Sequence, residues 1–243
     1  MKVHRLREVI AQIGFTRFEA AVADVNGELA LDVERAALSL NQTWFPAVEN
    51  RGEGIFIAFR ADVMDAWAQQ PAVQARGLQL LQGFNAWQSA HQGVSATFPG
   101  MPYVMLHTLS HLLITAVALD CGYAASSIRE RIYVGESGCG ILFYTASPDA
   151  EGTLGGLVEA GDRLDRYLRQ AIDLGRLCSN DPVCAQHQAD NRQEDRLLVG
   201  AACHGCVLLA ESSCERRNDF LDRALVVPTV DSTGAAFFDV DEA

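Results

Sequence analysis

The 243-residue sequence predicts an α/β or α+β fold: a small sheet packed by a buried central helix and an amphipathic helix, with a Cys-rich helical subdomain at the end. Three observations predict it. Short apolar runs with Gly-rich boundaries, "GIFIAF", "RERIYV" and "ILFYT", read as strands. Residues 102–121 are apolar on every side, the pattern of a helix enclosed by neighbours. Leu164, Tyr167, Leu168, Ala171 and Ile172 form a stripe at i, i+3, i+4, i+7 and i+8, the pattern of an amphipathic helix.

In chain order, residues 3–18 alternate between basic and apolar types, and 19–53 is mixed and read as looping. "GIFIAF" at 54–59, flanked by Gly52 and Gly54, is a buried strand. From Asp62 to about Trp87, Val63, Met64, Trp67, Val73, Leu78, Leu81 and Phe84 recur at helical spacing, and Pro71 divides the run into two helices. "HQGVSATFPGMP" at 91–102 has the Gly and Pro content of a connection and is the candidate internal boundary. The buried helix follows, then "IRERIYV" and "ILFYT" joined through the turn "GESGCG" as a pair of strands. "ASPDAEGTLGG" is a loop, and the amphipathic helix comes after it. The division is therefore 1–92, an N-terminal strand and helix segment; 93–230, the domain with the cysteine cluster; and 231–243, an acidic tail in which Phe237 and Phe238 can dock on the core or a partner.

Composition excludes some functions. At 49% hydrophobic and 21% charged, the chain can build a globular core. A net charge of −12 argues against coating nucleic acid by bulk electrostatics, although local Arg patches can still meet phosphate. Lys2 is the one Lys among 19 basic residues, a bias that a GC-rich genome also produces. On the amphipathic helix, Arg163, Arg166, Arg169 and Arg176 resemble a phosphate-facing row. Asp162 stands four before Arg166, Asp165 four before Arg169, and Asp173 four after Arg169, so the row reads as a solvated face of ion pairs.

The first fifteen residues lack the apolar stretch and cleavage site of a signal peptide, and 101–119 carries two His, two Thr and one Ser at barely spanning length. A cytoplasmic, reducing setting is expected, where clustered cysteines hold metal more often than they form disulfides. Five of the seven cysteines lie between 178 and 214. Cys203 and Cys206 have the C-x2-C spacing by which one tight turn supplies two thiolates to a tetrahedral zinc. Cys178 and Cys184 can close the site, and Cys214 can replace either of them. His187 and His204 are further possible ligands that the surplus of thiols makes unnecessary. The bland alternative is a set of buried free thiols.

His107 and His111 share one helix face, but "HTLSH" has no acid between them, so H-E-x-x-H chemistry is absent and a satisfied buried pair is the simpler reading. The competing function is a metal-dependent nuclease or other hydrolase using His107, His111, Asp149 and Glu151. Neither G-x-x-x-x-G-K-[ST] nor G-x-S-x-G occurs.

The ordered set "LHTLSHLL", "RERIYV", "GILFYTASPDAEGTLGGLVEAG", "CSNDPVC" and "AACHGCVLLAESSCERRNDFLDRALV" resembles the C-terminal portion of the DrmB family, accessory subunits of DISARM anti-phage systems. "VHRLREVIAQIGFTRFE" resembles the segment leading into it. More distantly, the pattern is similar to the zinc-binding domain at the C-terminus of MrfA-type DNA-repair helicases. The resemblance implies a four-cysteine structural Zn2+ site, no catalytic activity in this domain, and a DrmA-like superfamily 2 helicase partner that acts on DNA. The implied ligands are Cys178, Cys184, Cys203 and Cys206, with Cys214 in reserve. DrmB proteins are considerably longer, so a fragment, a split subunit or a member of a related defence operon is expected. The C-x5-C spacing of the first pair is wider than in the helicases and leaves Cys184 against Cys214 open.

Overall fold

A computed structural model describes residues 1–16, 36–41, 43–91, 96–135, 138–145, 156–189 and 196–238. The fold is α+β, built on a four-stranded antiparallel sheet of order β1-β2-β4-β3. The strands are β1 (Lys2–Ala11), β2 (Ala47–Phe59), β3 (Ile128–Gly135) and β4 (Gly138–Thr145). The helices are α1 (Ala61–Ala68), α2 (Pro71–Ala90), α3 (Met101–Cys121), α4 (Gly156–Ala160) and α5 (Leu164–Arg176).

The alternating residues near the N-terminus form β1, which pairs with β2 from Lys2↔Ile55 to Ala11↔Ala47. The expected loop over 19–53 needs correction at its end, because β2 begins at Ala47. Its first half, "AVENRGE", is polar and lacks an apolar run, and pairing with β1 recruits it into the sheet. Residues 19–35 and 42 of that stretch lie outside the described residues. β2 also pairs with β4, with Ile55↔Phe143 and Ile57↔Ile141 aligning apolar residues, and β3 and β4 form the expected hairpin.

Pro71 takes the first position of α2, where its missing N–H costs nothing, and so separates α1 from α2 as the sequence predicts. Gly83, midway along α2, is where the chain after 196 crosses the helix: a Cβ there would stand 2.2 Å from the Leu197 carbonyl oxygen.

Helix α3 is the centre of the molecule. Sixteen of its residues are buried. Among the described residues it is the one helix long and apolar enough to cross a membrane, yet 78% of its most apolar window is buried inside the fold. It ends on Gly122 at φ 72°, the left-handed cap that glycine adopts without strain. The surrounding cluster takes Ile55, Met64, Val73 and Leu80 from the N-terminal segments, Ile132, Ile141 and Phe143 from β3 and β4, and Tyr167, Leu221 and Val227 from the later chain. Each such side chain contributes roughly 1.5–3 kcal/mol on leaving water.

Helix α5 lays Tyr167, Ala171 and Gly175 against this core. Its arginines do face outward in ion pairs, but two of the three expected pairs change partners, one of them because Asp173 meets Arg176 at 3.6 Å instead of Arg169. Arg169 meets Asp165 at 3.6 Å, but Arg163 and Arg166 both reach Asp120 at the end of α3, at 3.4 and 2.8 Å. Asp162 instead pairs with Lys2 at 2.5 Å. Helical spacing could not show that α3 and β1 offer nearer partners. Phe237 and Phe238 dock on the core: their backbone N–H groups donate to the Leu225 and Val226 carbonyls at 2.8 and 3.1 Å, and the Phe237 ring packs T-shaped on Trp67 with centroids 5.6 Å apart.

Candidate metal centre

From 177 to 222 the described chain is a series of turns with little regular structure. Such a segment has few ladder hydrogen bonds and a small core of its own, so cross-links must hold it. All seven cysteines are free thiols. Four of them, Cys178, Cys184, Cys203 and Cys206, bring their sulfurs within 4.8 Å of one another. The C-x2-C turn places Cys203 and Cys206 Sγ 3.7 Å apart, Cys178 Sγ lies 3.5 Å from Cys203 Sγ, and Cys184 Sγ lies 3.8 Å from Cys206 Sγ. A tetrahedral zinc with Zn–S near 2.3 Å requires sulfur–sulfur separations of about 3.8 Å.

Backbone N–H groups aim at these sulfurs. Gly205 N–H donates to Cys203 Sγ at 3.3 Å, Asn180 N–H to Cys178 Sγ at 3.4 Å, and Cys203 N–H to Cys206 Sγ at 3.3 Å. The Asn180 side-chain amide donates to Cys203 Sγ at 3.3 Å. Donors of this kind offset negative charge on sulfur.

Without a cation the four sulfurs cannot all ionise. Burial pushes the Cys178 thiol up to about 11, and the Cys206 thiol and burial together raise Cys184 further. Cys203 is drawn down to about 7: burial opposes its ionisation, but hydrogen bonds from Asn180, Cys178 and Gly205 outweigh that cost. One thiolate among reluctant thiols is the arrangement a divalent ion would complete. Arg223 is wholly buried, a cost that the Asp181 carboxylate outweighs by hydrogen bond and charge, with smaller help from Cys206 and Cys184, and it also donates to the Gly175 carbonyl.

Residues beside the knuckle are fixed by Asp222. Its carboxylate accepts from Arg76 Nε at 2.7 Å and Nη2 at 3.2 Å, and from the N–H groups of Ala201 and Ala224, both at 3.1 Å. It thereby ties the chain just before Cys203 to α2.

Cys214 does not join the four sulfurs. It lies in a second cluster with His107, His111 and Glu130, every member buried. His107 Nε2 stands 3.1 Å from Cys214 Sγ and 2.8 Å from Glu130 Oε1, and His111 Nε2 stands 3.2 Å from the same oxygen. The acid missing from "HTLSH" thus arrives from β3. Its signal in the sequence was a charged residue at a position of "IRERIYV" whose alternation faces the core, Ile128, Glu130 and Ile132 all being buried. Burial pushes the Glu130 carboxyl up, but the two imidazoles beside it override that and hold it well below the usual carboxylate range. His187 lies apart from both clusters, its Nε2 3.0 Å from the Arg196 carbonyl, and His204 is in neither. Asp149 and Glu151 fall outside the described residues.

Residues 109–207 match the family model of the MrfA Zn-binding domain. Across 242 residues, 98% of the chain, the sequence is 38% identical to the DISARM protein DrmB of Bacillus paralicheniformis. The chain thus resembles part of that DrmB. It spans 42% of the length of that DrmB. The zinc-binding match contains Cys178, Cys184, Cys203 and Cys206 and stops before Cys214. A zinc-binding domain match that encloses a four-thiol cluster establishes structural Zn2+ as the cofactor of this DrmB-like chain.

Proposed function

We propose that this chain is a non-catalytic, cytoplasmic zinc-binding module of a DISARM-type anti-phage defence complex, in which it helps a DrmA-like superfamily 2 helicase engage DNA. In this reading Cys178, Cys184, Cys203 and Cys206 hold the zinc. The observation that carries it is the four-thiol cluster inside a domain match that continues into DrmB likeness along nearly the whole chain. Four thiolates fill the coordination sphere of zinc and leave no position for a reactive water, so the ion ties turns together and activates nothing. When bound, it supplies the cross-link that the 178–206 segment lacks.

Positive charge for phosphate contact is available at one end of the sheet. His4, Arg5, Arg7 and Arg51 line an open cleft together with Leu6 and Gly52. Glu49 neutralises part of it, meeting Arg51 at 2.8 Å and Arg7 at 3.6 Å, which leaves His4 and Arg5 as the residues most available to a backbone phosphate. The hydrolase reading loses its central pair: His107 and His111 are fully buried, with both Nε2 atoms turned to Glu130.

Affinity purification of the tagged full-length protein from its native host, with identification of co-purifying chains, tests the partnership. A helicase in stoichiometric yield supports it, and a chain that purifies alone overturns it. Gel shifts of the purified complex over a salt series test the DNA role, since phosphate contacts must weaken steeply with salt.

A further inference from the structure

The second cluster is not explained by the four-thiol site, and two of its members, His107 and Cys214, lie outside the matched zinc-binding segment. Its protons can be placed from its outer hydrogen bonds. His111 Nδ1 lies 2.8 Å from the Val207 carbonyl oxygen, which can only accept, so Nδ1 carries a proton and Nε2 is the nitrogen turned inward, a donor to Glu130 when protonated and a metal ligand when not. His107 Nδ1 faces the Phe220 carbonyl at 3.3 Å with the same consequence. Cys214 Sγ already receives backbone N–H groups from Asn218 at 3.1 Å and Arg216 at 3.3 Å, the pattern seen around Cys203. Glu130 Oε2 is buried and, among the described residues, has no hydrogen-bond partner.

Two nitrogens, one carboxylate and one sulfur, each able to donate an electron pair to a metal, converge within 4.8 Å, and all four residues are buried. Groups so placed need positive charge between them, supplied by shared protons or by a metal ion. We propose that His107, His111, Glu130 and Cys214 form a second, structural zinc site. The donor types suit zinc, and one carboxylate with one thiolate balances its charge. Both imidazoles have the outer carbonyl partners that orient metal-bound histidines. Tetrahedral coordination with bonds of 2.0–2.1 Å sets N···N and N···O separations of about 3.3 Å. The 2.8 and 3.2 Å between nitrogen and Oε1 need open by only a few tenths of an ångström. With four protein ligands, all buried, the ion has no open position for substrate. It binds α3, β3 and the 207–220 segment to one another, as the first site binds 178 to 206.

The test is metal content of the purified full chain by native mass spectrometry and elemental analysis, with zinc X-ray absorption on the same sample. Two zinc ions per chain are expected, with a mean first shell of about two and a half sulfurs and one and a half nitrogen or oxygen atoms. Cys214→Ser and Glu130→Gln should each retain one ion with an all-sulfur shell, and Cys203→Ser should retain one ion with a mixed shell. A wild-type chain holding one zinc in an all-sulfur shell overturns the proposal and leaves the four-thiol site standing. It would show that shared protons alone hold the second cluster. One zinc in a mixed shell would instead overturn the four-thiol site and uphold this one. The wild-type measurement decides the matter even where a variant fails to fold.

Discussion

Replacing Asp222 by Ala tests how the zinc segment is joined to the helical core. Asp222 is wholly buried and faces Arg76, whose side chain is 10% exposed. Deleting the carboxylate leaves a buried guanidinium unpaired, a change that costs about 3–5 kcal/mol. It also strips the Ala201 and Ala224 N–H groups of their acceptor, at roughly 1 kcal/mol or more each, partly shared with the first loss. A total near 5 kcal/mol corresponds to a fall of about 10–20 °C in Tm for a chain of this size. Asp222→Asn keeps an oxygen for the two N–H groups and should lose less. In a double-mutant cycle measured by urea unfolding of the zinc-loaded protein, Arg76→Met should be damaging alone and nearly neutral once Asp222 is gone, giving a coupling energy of about 2–4 kcal/mol. Additive losses, or an Asp222→Ala cost below about 1 kcal/mol, would refute the claim that this pair is the anchor.

Further outcomes follow from the same contacts. Cys203→Ser and Cys206→Ser should each lower the melting temperature and release the four-thiol zinc, because metal binding and folding of 178–206 are coupled; unchanged melting curves contradict this. Burial is the main influence lifting the Asp219 carboxyl from 3.8 to about 6, with Glu211 adding to it and Arg217 and Arg216 opposing. A folded pKa above the unfolded one means this group favours the native state most below pH 4 and loses that contribution as pH rises through 6. Asp219→Asn should therefore be more stable than wild type at pH 7 by about 1–3 kcal/mol and show no advantage at pH 4, as read from denaturation at both values. Gly83→Ala sets the helix preference for Ala against a clash with the Leu197 carbonyl 2.2 Å away. The clash wins, because backbone cannot rotate aside, and a loss of about 1–3 kcal/mol is expected in thermal unfolding.

The elements with strong local signatures were legible in the sequence. Pro71 separates α1 from α2, the all-round apolar 102–121 run is the core helix, and the Leu164 to Ile172 stripe is α5. Each signal depends on residues a few positions apart, and helical periodicity reports such neighbours directly. The knuckle at Cys203 and Cys206 was legible for the same reason. The first half of β2 was not, since "AVENRGE" joins the sheet only because β1 lies beside it.

The sequence by itself determined the donor types, the fold class and the place of a thiol cluster late in the chain, because composition and spacing carry those. Only the tertiary structure decided that Cys184 meets Cys206 while Cys214 meets His107, a choice on which spacing is silent. It also decided that Glu130, nineteen residues past His111, supplies the acid absent from "HTLSH". These partners lie on α3, β3 and the late turns, and only packing around α3 brings them within bonding distance.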